Sequence, residues 1–383
     1  MLRHKYIWVY GFAIFAMFFG SGNLVFPIQI GLISQQNWLF GFIGLFITGI
    51  LLPFMGLFVI KIYKGSYTNF FAEAGPVAKI VLPLFTLSLL GSFAVIPRCI
   101  TVAHGGVSYV FPELPLLEFS FIFSIFTFVF CLKEQILVNI MGKWMSPVLI
   151  IALAIMVIYG IYYVSPEPKL GNSEPIEALS YGFATGYQTM DLFAAFFFST
   201  LVYKQMSEIM PANATDRELI RFSIKPSILG SLFLAIIYLG LVYLGAHYKA
   251  VIDPAKPQLM LPSIANYVLG KYSTILIAIV MILSCFTTAV ALGNIYARYL
   301  CTLFKFKEFY FPYILALTCL ISFAISLLNF RGIASFLAPV LECTYPGIIL
   351  LTIVSILTGK FKRVKLLLFW IVTVAMILTK LIF

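Results

Sequence analysis

Few side chains in this 383-residue chain can do chemistry, and the exceptions sit inside apolar runs. Arg98, Asp191 and Glu342 lie within such runs, with His104 near the end of one. Ionisable groups in that setting face the protein interior or a water-filled route, because contact with lipid is costly. Ser284, Thr287 and Thr288 fall at i, i+3 and i+4, one face of a helix. Hydroxyls so placed suit a small hard cation such as sodium, provided another segment adds oxygens; otherwise membrane threonines bond their own preceding carbonyls. Other polar groups gather in Phe18-Phe19-Gly20-Ser21-Gly22-Asn23-Leu24-Val25-Phe26-Pro27 and in Tyr181-Gly182-Phe183-Ala184-Thr185-Gly186-Tyr187-Gln188-Thr189-Met190-Asp191. The six cysteines show no paired spacing, and no nucleophile stands beside a base. The chemistry on offer is reversible binding of ions and dipoles, and the chain reads as no enzyme.

Those residues need elements to hold them at depth. The run 7–30 is long enough to cross a bilayer, yet its centre holds Gly20, Ser21, Gly22 and Asn23, with Pro27 beyond. This predicts a helix broken at membrane depth. Gly20 and Gly22 tolerate unusual dihedrals, and Phe26 before Pro27 is biased away from the helix. Carbonyls freed around Ala16 and Phe19 would complete a cation shell with the hydroxyls of the eighth run. The other explanation for the glycines is close helix packing through small residues. The sixth run repeats the anomaly, and Asp191 follows it directly, either bracing the break or meeting a cation. Breaks in the first and sixth runs are what an inverted repeat of two five-helix units predicts, and solutes bind where such half-helices meet. The repeats would be 1–163 and 164–357, with 358–383 an additional span.

Bulk properties agree with a membrane setting. Hydrophobic residues make up 62% of the chain, charged residues 10%, and the mean hydropathy is +1.05. The fold class is all-α and polytopic. Eleven runs qualify as spans: 7–30, 38–60, 80–104, 117–132, 144–163, 178–202, 226–246, 272–297, 309–328, 332–357 and 364–382. The net charge of +11 comes from short inter-span segments, which argues for positive-inside anchoring and against nucleic acid. Arg3, Lys5, Lys61, Lys64, Lys133, Lys143, Lys204, Arg221, Lys305, Lys307 and Lys365 would all face the cytoplasm, Lys169, Lys249 and Lys271 the outside. The N-terminus is then cytoplasmic and, with eleven spans, the C-terminus external. The segment 204–225 has the look of a cytosolic amphipathic connector but reads better as an ordinary solvated loop, and 247–271 reads as a loop with room for a short surface helix.

The stretches Phe19 to Pro27, Ile96-Pro97-Arg98, Gly186 to Asp191, Thr287-Thr288-Ala289-Val290 and Tyr345-Pro346 occur in an order that resembles the bacterial branched-chain amino acid:cation symporters. The resemblance implies the fold of the neurotransmitter:sodium symporters and the wider amino acid-polyamine-organocation superfamily. It implies sodium-coupled uptake of leucine, isoleucine and valine across the inner membrane, with no organic cofactor and no obligate protein partner. The sodium site would match Ala16, Phe19, Ser284, Thr287 and Thr288. Substrate would lie between the breaks, its carboxylate at the amides of Ser21, Gly22 and Asn23, its ammonium at carbonyls of Ala184, Thr185, Gly186 and Tyr187. Gly20, Pro27, Arg98, Asp191 and Glu342 would gate or brace the site. The family usually has twelve spans, not eleven, and carries an acid where this chain has Thr101 to Gly105. A proton-coupled carrier of another neutral amino acid, using His104 and Glu342, and a non-transporting amino acid sensor are the competing readings.

Overall fold

A computed structural model of the chain describes residues 2–132, 145–163, 174–211, 215–270, 273–358 and 361–382. Every regular element among the described residues is helical. Lys133, Lys143, Lys169, Lys271 and the repeat boundary at 164 lie outside them, as do the side chains of Arg3 and Lys5. In chain order the helices are α1 (Leu2–Phe18), α2 (Ser21–Ser34), α3 (Trp38–Phe46), α4 (Leu52–Ile62), α5 (Tyr67–Phe71), α6 (Ala78–Ser88), α7 (Val95–Ser108), α8 (Leu116–Cys131) and α9 (Ser146–Tyr162). There follow α10 (Pro175–Tyr187), α11 (Asp191–Ile209), α12 (Asp216–His247), α13 (Met260–Leu269), α14 (Ser273–Leu303), α15 (Phe311–Ser326), α16 (Asn329–Thr358) and α17 (Lys362–Ile382). Among the described residues, six helical stretches are long and apolar enough to cross a membrane: Ser21–Ile62, Ala78–Ser108, Arg217–His247, Ser273–Leu303, Glu308–Ser326 and Asn329–Leu357. Tyr6–Phe18, Leu116–Cys131 and Ser146–Tyr162 are apolar but shorter.

Two breaks organise the bundle. Between α1 and α2 the chain leaves the helix at Phe19 and Gly20, and Gly20 is extended (φ −109, ψ −154). Pro27 plays no part in this break. It lies inside α2 with Phe26, where its missing N–H leaves the Asn23 carbonyl without its helical donor. Between α10 and α11 the break covers Gln188, Thr189 and Met190, and Met190 is left-handed (φ 59, ψ 19). It therefore falls after Ala184 to Tyr187, which form the last turn of α10.

The glycines of the sixth run serve packing instead. A Cβ on Gly182 would lie 2.0 Å from the Gly41 carbonyl oxygen, and one on Gly186 1.9 Å from Thr48 Oγ1. Thr48, in the π turn Ile47–Leu51 that joins α3 to α4, donates to the Phe183 carbonyl at 2.9 Å. On the other side of the molecule, Cβ atoms on Gly31 and Gly245 would lie 1.9 Å from the Val242 oxygen and 2.0 Å from the Ile28 oxygen. Thus α2 is seamed to α12 and α10 to α3 by backbones in contact. The arrangement is reciprocal: the first broken helix packs on the long helix after the second, and the second packs on the helices after the first.

Three segments differ from expectation. Residues 217–225 are no loop, since Thr215 and Glu218 cap α12 reciprocally, with Thr215 N donating to Glu218 Oε2 at 2.9 Å and Glu218 N to Thr215 Oγ1 at 3.3 Å. The short helix α13 does form, but buries Met260, Leu261, Ile264 and Ala265. The last helix is tied to the bundle: Lys365 Nζ is 3.4 Å from Glu73 Oε2 and 3.0 Å from the Tyr63 hydroxyl, and Trp370 Nε1 donates to the Ala74 carbonyl at 2.9 Å. Lys61, expected in cytosol, is buried and donates to the Ser223 carbonyl at 2.9 Å and to Ser227 Oγ.

Candidate functional site

The first break frees backbone groups on both sides. The Gly20 amide bonds the Phe18 carbonyl at 2.7 Å instead of the Ala16 carbonyl four residues back, so Ala16 keeps an acceptor to spare. The amides of Ser21, Gly22 and Asn23 open α2 and have no helical acceptor before them, which makes its N-terminus attractive to negative charge. The dihedrals of Gly20 are open to any residue; what demands glycine there is Thr288, whose Cγ2 and Oγ1 would each lie 2.9 Å from a Cβ. At Gly22 a Cβ would meet the Phe26 ring at 3.0 Å and Thr189 Cα at 3.4 Å.

The second break closes on itself. Amides of Gln188, Thr189 and Met190 bond the carbonyls of Thr185, Gly186 and Tyr187 at 3.0, 3.3 and 3.1 Å, and Thr189 Oγ1 also donates to Gly186 at 2.9 Å. The Thr185, Gly186 and Tyr187 carbonyls, expected to receive an ammonium, are thus already engaged, and Ala184 to Tyr187 do not line the cavity between the breaks. Thr189 and Asp191 do. Asp191 opens α11, where a carboxylate suits the helix dipole. Its Oδ2 accepts from Asn23 Nδ2 at 2.7 Å and from the Tyr238 hydroxyl at 3.2 Å, while Asn23 Nδ2 also reaches Tyr238. This triangle ties α2, α11 and α12 together. Tyr238, in the middle of an apolar helix, carries no sequence signal that sets it apart from other buried tyrosines.

Residues expected to bind a cation separate into two groups. Ser284 Oγ donates to the Phe19 carbonyl, joining α14 to the first break. Thr288 Oγ1, beside Gly20, is buried with no hydrogen-bond partner among the described residues. Thr287 instead donates to the Ser284 carbonyl of its own helix at 2.9 Å. Ser284 and Thr288 are thus brought to the first break, and the hydroxyl of Thr287 turns back.

The cavity has one polar and one apolar side. Gly20 to Asn23, Thr189, Asp191 and Thr288 supply the polar groups, and Met17, Phe18, Leu90, Val95, Ala194, Phe198 and Leu292 the apolar wall. Arg98 is not among the residues that line the cavity; it is buried beside the second break, donating from Nη1 to the Gln188 carbonyl at 2.7 Å. Two expected participants stand apart. Glu342 is half exposed and pairs with Lys380 at 2.6 Å, joining α16 to α17, and His104 Nε2 is 2.9 Å from the Leu114 carbonyl.

Known proteins share these features to different depths. A relative from Staphylococcus haemolyticus, provisionally named as a branched-chain amino acid carrier protein, is 27% identical over 380 residues, covering 94% of this chain and 84% of its own. One from Staphylococcus aureus with the same description is 26% identical at the same coverage. Among solved structures, the nucleobase-cation-symport-1 family transporter Mhp1, closed around bromovinylhydantoin, superposes with a TM-score of 0.68 at 16% identity, over 93% of this chain and 79% of its own. MhsT in complex with L-phenylalanine gives 0.61 at 16% identity, over 97% of both chains. The chain is thus an all-α, multi-pass membrane protein similar in fold to inverted-repeat transporters. The family described as branched-chain amino acid transport protein matches residues 3–382, and the chain belongs to this family of amino acid carriers, which are transporters and not enzymes.

Proposed function

We propose that the chain takes up leucine, isoleucine and valine across the bacterial inner membrane, with sodium as co-substrate. The observation that carries the reading is the cavity at the facing breaks, lined by polar and apolar residues, with a buried Thr288 hydroxyl beside Gly20 that has no partner among the described residues. The substrate carboxylate lies at the α2 amides, and the aliphatic side chain against the wall that includes Val95 and Leu292. The ammonium lies near Thr189 and Asp191, in place of the carbonyls of Ala184 to Tyr187. Sodium sits between α1 and α14, held by oxygens of Ala16, Phe19, Ser284 and Thr288. Stripping water from a charged cargo side chain would require a dedicated partner, and the apolar wall has none to give.

The reading includes eleven spans in two inverted repeats, 1–163 and 164–357, with 358–383 outside them, the N-terminus cytoplasmic and the C-terminus external. The reciprocal packing of the broken helices supports the repeat. Proton coupling through His104 or Glu342 gains no support from their positions, since each is engaged away from the breaks.

Counterflow of labelled leucine in proteoliposomes, under imposed sodium or proton gradients, tests this reading. Sodium should drive accumulation, and isoleucine and valine should be the best competitors, with lysine and glutamate ineffective. Accumulation driven by protons alone, or competition by lysine equal to that by isoleucine, sinks it.

A further inference from the structure

Arg98 is fully buried, yet only part of its guanidinium is used. Nη1 donates to the Gln188 carbonyl at 2.7 Å, and the Phe26 ring covers one face, 5.5 Å from the guanidinium carbon. Nε and Nη2 are buried with no acceptor among the described residues. These two nitrogens share one edge of the guanidinium, the edge whose parallel N–H groups take a carboxylate side-on through two hydrogen bonds. Asp191 lies within electrostatic reach, but its Oδ2 is taken by Asn23 and Tyr238. A second donor near Arg98 is also idle. Tyr345 is fully buried, its ring stacked on Tyr187 at 4.8 Å and Phe193 at 4.4 Å, and its hydroxyl, with the Leu192 backbone against it, donates to no acceptor among the described residues.

A buried cation with one bonded nitrogen does more than hold the Gln188 carbonyl, because a neutral donor would do that without the cost of an unpaired charge. We infer that the free edge of Arg98, with the Tyr345 hydroxyl, is a carboxylate-binding subsite beside the second break, next to the residues that line the cavity. It receives the carboxylate of the amino acid separately from the α2 amides. Being on the side that the proposed topology makes external, it is the position met first by incoming substrate. The subsite rests on the amino acid reading proposed above, and it supplies a reason for that reading to favour zwitterions over amines.

The test uses the full-length protein in detergent and proteoliposomes, with leucine and leucinamide as probes; leucinamide keeps the ammonium and side chain but lacks the carboxylate. The readout is the ratio of their half-inhibitory concentrations against labelled leucine. Arg98→Gln should weaken leucine roughly 10- to 100-fold, the loss of charge-assisted hydrogen bonds, while leucinamide is unmoved, so the ratio collapses. Tyr345→Phe keeps the ring stack and should shift the ratio several-fold in the same direction, and Arg98→Lys should fall between wild type and Arg98→Gln. An unchanged ratio, whether both probes weaken together or neither does, overturns the subsite and leaves Arg98 a structural brace. Replacing chloride by gluconate should leave wild-type leucine affinity unaltered; a chloride dependence lost in Arg98→Gln would assign the edge to chloride and overturn it too. If wild-type protein does not bind leucine, the proposed function fails first, on a result independent of any variant.

Discussion

At the scale of single residues, the structure separates hydroxyls that look alike in sequence. Thr287 and Thr288 are adjacent, and helical spacing puts both on the Ser284 face, but one bonds its own helix and the other, beside Gly20, has no partner among the described residues. Thr288→Val should therefore raise the sodium concentration for half-maximal leucine uptake by about tenfold, the cost of one ion ligand. Thr287→Val should change it little, and equal effects from the two would place the ion elsewhere. Asp191→Asn should cost stability as well as uptake. Its Oδ2 accepts two hydrogen bonds, and an amide cannot accept both as well as a carboxylate without turning its own donor away from the Asn23–Tyr238 pair. A melting temperature unchanged from wild type would mean that the triangle carries no structural load.

At the scale of elements, the existence of two breaks was legible in the sequence, because polar residues and glycines inside an apolar run have few explanations. Their positions were only half legible. Glycine permits both unwinding and close backbone contact, and sequence does not distinguish the two uses. In the first run Gly20 lies in the break, whereas in the sixth run Gly182 and Gly186 serve the seam with α3, and the unwinding falls on Gln188, Thr189 and a left-handed Met190. The substrate residues expected at 184–187 were displaced for the same reason. Thr215 and Glu218 were a readable signal of the other kind, a capping box that extends α12 well below its apolar run. The seam makes its own prediction. Gly186→Ala places a methyl 1.9 Å from Thr48 Oγ1 and should destabilise the protein by about 1–3 kcal/mol, as overpacking does, with Thr48→Ala recovering part of the loss. Thermal unfolding of the single and double variants would show it; additive losses would mean that the two side chains do not compete for one space.

At the scale of the whole molecule, composition and charge patterning were enough for a polytopic helical protein, and several separated motifs for its family. Burial of charge was not legible, because a lysine at the end of an apolar run reads as solvent-facing. Lys365 is instead held by Glu73 and Tyr63, with Trp370 on the Ala74 carbonyl, so the last helix grips the segment after α5. Just before it, α5 packs Phe70 and Phe71 against Phe196 of α11, with ring centroids 5.0 and 5.4 Å away. Lys365→Met should loosen this grip and increase labelling of a cysteine placed at Ser66 by a membrane-impermeant reagent in inside-out vesicles; unchanged labelling would make α17 a passive neighbour. The glycine seams have a mechanical consequence. With α2 locked to α12 and α10 to α3 at backbone contact, each pair behaves as a stiff plate that cannot shear without collision. Compliance is then confined to the two creases at Phe19–Gly20 and at Gln188 to Met190, so a bending load applied anywhere on the plates is delivered to the residues that face the cavity.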